Sequence, residues 1–135
     1  MRILLIPILR IFVPLYEGED LQKIADDPNS AAFFRLGVQD CIADHCHQGF
    51  SNLAKAKPGT EAWILSDGSL RKYVCTKTQT GRLIEKDGGH YLRDADGLPV
   101  YKQNEGGLCI YTCTGKTEAE ITYVILTYWR PTNQI

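Results

Sequence analysis

Several features that would point elsewhere are missing from this sequence. It contains no C-x-x-C pair among its five cysteines, which argues against a zinc ribbon. No block of like charge marks a disordered tail. Lys and Arg number 15 against 16 Asp and Glu, a formal net charge of −1, so the basic face of a nucleic-acid partner is absent and no nucleic acid is expected. There is no internal repeat or low-complexity run. No apolar stretch approaches the roughly 20 residues that span a bilayer. The apolar start, residues 1–15, is broken by Pro7, Arg10 and Pro14 and leads to no small-residue cleavage site, so it reads as two strands and not as a signal peptide.

What remains is a 135-residue chain with a 44% hydrophobic share, enough for one domain with a real core over residues 1–135. Strands are expected at residues 2–6, 9–15, 38–45, 61–65, 70–77 (with residues 82–84 open as its extension), 108–114 and 121–129, with residues 31–37 ambiguous. Ser66-Asp67-Gly68-Ser69 is a hairpin signal. Residues 20–25 read as a short helix capped by Asp20, and residues 50–55 as one helical turn. Residues 87–107 read as a long glycine-rich loop with short extended pieces. The expected class is all-β: a closed barrel of seven to eight strands with one or two short helices.

The residues able to carry chemistry are few. Cys113 lies near a strand end beside hydroxyls, in Tyr111-Thr112-Cys113-Thr114-Gly115, where a thiol can stay accessible on a rigid backbone. On its own such a cysteine is more often inert core. Histidines occur in Asp44-His45-Cys46-His47 and at His90. His45, straight off a strand, is better fixed than His47, and His90 reads as a loop residue. A metal site from Cys41, His45, Cys46 and His47 is disfavoured, because Cys46 and His47, adjacent in an extended chain, face opposite ways. No metal and no cofactor are expected. Glu17, Glu19 and Asp20 are open to calcium or are a solvated turn.

Four segments, in order, resemble the sortase family. LRIFVPLYEG at 9–18 is similar to its Leu-Pro-Val-Tyr-Glu-Gly opening, IADH at 42–45 to the segment presenting its histidine, FSNLAKAKPG at 50–59 to the stretch that follows, and LCIYTCTG at 108–115 to the strand bearing its cysteine. The last strand falls where the family's closing strand should. The resemblance implies a sortase-like β-barrel, with Cys113 as nucleophile and His45 as general acid/base. It further implies a cysteine transpeptidase at the extracellular face of the bacterial cell membrane, of the kind found in Gram-positive bacteria, with its anchor not present in this chain. Such an enzyme cleaves an LPxTG-like sorting-signal peptide and transfers the acyl group to a peptidoglycan or pilin amine.

Three departures accompany it. The family's arginine near the start of the last strand is not evident; Glu118-Ala119-Glu120-Ile121-Thr122 stands there. Arg130 lies about 30 Å further along at roughly 3.3 Å per residue, which leaves Arg82 and Arg93 as alternatives. Asp44 replaces a glycine and reads as a solvated strand-end residue in preference to a support for His45. Cys41 and Cys109 each precede a site residue by four positions, and the family's parallel pairing of those two strands would set them side by side, close enough for a disulfide. The sequence therefore leaves open a catalytically impaired sortase-fold protein that binds a peptide or partner, and a metal- or redox-responsive β-domain.

Overall fold

The computed structural model describes residues 2–18, 30–36, 39–45, 50–87, 89–100 and 107–132. They form nine strands: β1 (Arg2–Ile6), β2 (Ile11–Tyr16), β3 (Ala31–Leu36), β4 (Gln39–Asp44), β5 (Glu61–Ser66), β6 (Ser69–Lys86), β7 (Gly89–Arg93), β8 (Leu108–Glu118) and β9 (Ile121–Pro131). Eight close into a barrel in the order β5-β1-β2-β3-β4-β8-β9-β6, with β6 returning to β5 and β7 added along the far half of β6. The all-β barrel expected from sequence is present. Among the described residues there is no α-helix, only the 3-10 turns Pro7–Leu9 and Leu53–Lys55. The second is the turn read at residues 50–55; the helix read at residues 20–25 lies outside the described residues. No helix here is long and apolar enough to cross a membrane.

Strand boundaries follow local chemistry. Asp67 and Gly68 both take positive φ, 45° and 82°, the two-residue hairpin that an Asp-Gly pair favours. β6 runs unbroken from Ser69 to Lys86 and joins the strand read at residues 70–77 to the extension read at 82–84. Its first half pairs with β5, its second with β9, and the extra residue Thr76 bends the strand between them, its hydroxyl donating to the Tyr128 carbonyl. Gly81 sits where β6, β7 and β9 crowd together. A methyl there would press on Leu126 Cδ1 and come within 2.5 Å of the Arg93 carbonyl. Gly81→Ala is therefore expected to lower stability by about 1–3 kcal/mol, the usual cost of overpacking, read as an earlier urea midpoint.

Period-two alternation divides the buried residues into two cores. Leu4, Ile6, Ile11, Val13, Leu15, Ile42, Leu108, Ile110 and Trp129 fill the barrel. The neighbouring residues on β4, β8 and β9 face outward and build a second core of Cys41, Cys109, Val124, Leu126 and Tyr128, covered by Leu92 of β7 and by Val100. The segment expected as a long loop thus supplies a strand and a lid for this core. Asp94 organises the lid: its buried carboxylate accepts the Asp96 and Leu98 backbone N–H groups, both at 2.9 Å.

Candidate active site

β4 and β8 are parallel neighbours in unbroken register, Cys41 opposite Cys109, Ile42 opposite Ile110, Ala43 opposite Tyr111 and Asp44 opposite Thr112. One step further on each chain come His45 and Cys113. Both line one cleft of about 230 Å³, together with Ala43, Tyr111, Leu83, Glu85, Thr122 and Val124. The cleft opens at the end of the second core, which forms its apolar floor.

Two features fix this end of the sheet. The buried Thr112 hydroxyl donates to the Asp44 carbonyl at 2.6 Å and ties the two strands together immediately before the candidate pair. Asp44 itself is buried, and its Oδ1 accepts the His45 backbone N–H at 2.8 Å. The solvated strand-end residue expected at Asp44 is corrected on that ground: the carboxylate holds the backbone on which the imidazole is carried. Replacing Thr112 with valine keeps the volume and removes the hydroxyl. It is expected to cost about 1–2 kcal/mol and to broaden the His45 ring resonances in an NMR spectrum as the strand ends loosen.

On its other side, β8 pairs with β9 as far as Cys113 opposite Val124, and then slips before Thr117 meets Thr122. Thr114 spans the slip, donating to the Tyr123 carbonyl at 3.0 Å and accepting the Lys116 N–H at 3.1 Å, while Gly115 adopts φ 88°. A bulge beginning right after Cys113 turns the strand away and leaves that side chain at an open rim. Gly115 belongs to this bulge, and β8 runs on to Glu118.

The remaining candidates fall elsewhere. Cys41 and Cys109 are adjacent, as the resemblance implied, but both are thiols and fully buried. The hydrogen bond between them, and then burial, raise the Cys109 thiol well above its ordinary range, which keeps it protonated and unreactive. Burial likewise raises Cys75, whose Sγ donates to the Lys77 carbonyl. Cys113 alone among the described cysteines is partly exposed. A metal shared by Cys41 and His45 would have to bridge four residues of strand, about 13 Å; among the described residues no group of three or more His, Cys, Asp or Glu could hold a metal ion. Cys46, His47, Glu19 and Asp20 lie outside the described residues, and Glu17 is ion-paired with Arg2. His90 belongs to β7, in register with Glu85, and not to a loop.

None of the three candidate arginines lines the cleft. Arg82 is opposite Tyr123 and stacks on its ring at 5.9 Å, on the sheet face away from Leu83 and Glu85. Arg93 is directly across from Arg82 and shares that face. Arg130 is opposite Val74, far along β9. Glu85, which sequence reasoning passed over, lines the cleft instead. The signal was available: Leu83 and Glu85 alternate with Arg82 and Ile84.

The sequence matches no protein-family model and no curated protein. Its structure is similar to solved sortases. Sortase A from Corynebacterium diphtheriae superposes with a TM-score of 0.68 at 16% identity, covering 99% of this chain and 61% of that one. Sortase C-3 from Streptococcus pneumoniae gives 0.64 at 19% identity, covering 97% and 62%. Sortase E1 from Streptomyces coelicolor, solved with a tripeptide in the active site, gives 0.65 at 16% identity, covering 96% and 89%. The chain thus spans about three fifths of the first two. A barrel with this strand order, matched over nearly its whole length, has one description: the chain has the sortase fold.

Proposed function

We propose that the protein is a sortase-type cysteine transpeptidase with Cys113 as nucleophile and His45 as its acid/base partner. The observation that carries this reading is the parallel β4–β8 register, which delivers an imidazole and the one partly exposed described thiol to the same cleft. The Cys113 thiolate attacks the scissile carbonyl, the S–C bond forms, and the C–N bond breaks as the His45 imidazolium protonates the leaving amine. An acceptor amine then attacks the thioester, gives its proton to the imidazole and releases the thiolate. The donor is a C-terminal sorting-signal peptide of a secreted protein; one solved neighbour holds a tripeptide in its active site. The acceptor is a peptidoglycan or pilin amine, and the site of action is the outer face of a Gram-positive cell membrane.

The absence of a guanidinium among the described residues lining the cleft favours a second reading, a peptide-binding barrel without turnover, since losing an oxyanion donor costs about 10²–10³ in rate. Intact-mass measurement separates the two. Incubation with a panel of sorting-signal peptides is expected to add the acyl fragment to the parent and nothing to Cys113→Ala, with release on adding an amine. Peptide binding without any mass increase selects the second reading.

A further inference from the structure

The candidate cleft carries an acid on its β6 wall and no group of permanent positive charge among its described lining residues. That wall consists of Leu83 and Glu85, two residues apart on one strand face and so about 7 Å from each other. Leu83 is half-buried against the second core and Glu85 is exposed. Cations are close by but face the other way. The Arg82 guanidinium and the Lys116 ammonium both stack on Tyr123, at 5.9 and 5.2 Å from its centroid. Tyr123 alternates with Thr122 and Val124, the β9 residues that line the cleft. The sheet therefore sets the Arg82 and Lys116 cations on one face and Glu85 on the other, in the cleft with His45.

An apolar residue followed at 7 Å by a carboxylate matches one kind of side chain. Lys and Arg are apolar stems with a cationic head, and the stem of lysine has four carbons, about the Leu83–Glu85 separation. We infer that Glu85 is a specificity-determining residue, and that the cleft selects a peptide carrying Lys or Arg, its stem along Leu83 and its head on the Glu85 carboxylate. The inference rests on the cleft being the substrate site proposed above. The cation is supplied either by the donor peptide or by an acceptor bearing Lys or Arg beside its reacting amine. An acidic residue in the same position meets like charge.

The test uses two backgrounds. With Cys113→Ala, fluorescence anisotropy compares labelled sorting-signal peptides that differ only in Lys, norleucine or Glu at each position flanking the scissile bond. For a cation on the donor, the Lys peptide binds about fivefold more tightly than its Glu twin at one position, as for an exposed ion pair. Glu85→Gln erases the difference and Glu85→Arg inverts it. With Cys113 intact, acceptor peptides varied in the same way report KM; for a cation on the acceptor, the charge preference appears there and is inverted by Glu85→Arg. A charge preference in neither arm, or one that survives Glu85→Arg, overturns the inference. Charge-selective binding with no acylation of Cys113 by any peptide leaves the inference standing and removes the transpeptidase reading; acylation without charge selectivity does the reverse.

Discussion

Removal of the imidazole at position 45 is expected to slow acylation of Cys113 by about 10²–10⁴-fold, the usual contribution of a positioned acid/base, while leaving the barrel folded. The loss is checked most directly with a small thiol alkylator followed by intact mass, in a Cys46→Ser background. Cys41, Cys75 and Cys109 are shielded by burial, so labelling there reports Cys113. The parent is expected to label within the mixing period and His45→Ala far more slowly, with unchanged circular dichroism. Equal labelling of the two proteins would mean that the strands bring thiol and imidazole to one rim without coupling them. His45→Gln adds a useful control, because it keeps a hydrogen-bonding side chain on the backbone that Asp44 holds but cannot carry the proton.

The second large effect concerns stability. Trp129→Ala is expected to cost about 3–5 kcal/mol, as large-to-small changes of buried aromatics do, a substantial share of the 5–15 kcal/mol typical of a domain. Trp129 is fully buried, opposite Leu108 on β8 and Cys75 on β6. Its indole N–H donates to the Thr127 hydroxyl at 2.7 Å, which in turn donates to the Ile110 carbonyl at 2.6 Å. This chain of donors reaches β8 three residues before Cys113. Alanine therefore opens a cavity and also removes the donor that orients Thr127. Trp129→Phe keeps most of the apolar area and loses the N–H, so a smaller cost of about 1–2 kcal/mol is expected. Urea midpoints at constant m separate the two contributions.

Much of this arrangement was legible in the sequence where alternation and turn chemistry agreed. The Asp67-Gly68 hairpin, β1, β5 and the closing strand announced themselves, and the four-residue spacings of Cys41 to His45 and Cys109 to Cys113 placed both pairs on shared faces. What could not be read had a physical cause. Thr76 to Gly81 is a polar run ending in glycine, and only pairing with β9 keeps it extended. Ala31 to Leu36 lacks alternation because both of its faces meet protein: Phe33 packs on the barrel core and Phe34 on the second core. β7 and its lid hide in a glycine-rich segment, since their order comes from Asp94 and from the core they cover. Asp44 was misjudged because its burial depends on β8 arriving alongside from a distant part of the chain.

The parallel pairing of β4 with β8 also governs when the site can exist. β1 with β2, β3 with β4, and β5 with β6 join segments close in sequence, and each can form early and locally. β4 and β8 are separated by 113 − 45 = 68 residues at the site, and β8 is held on its other side by β9, the last strand of the barrel. Bringing such distant segments together bears the full entropic cost of loop closure before any contact offsets it. During synthesis, the thiol strand emerges long after the histidine strand and has no second neighbour until β9 follows. The barrel thus withholds its thiol–imidazole pair until β9 has been made, and a nascent chain that stops short of β9 carries these two groups as separate, ordinary side chains.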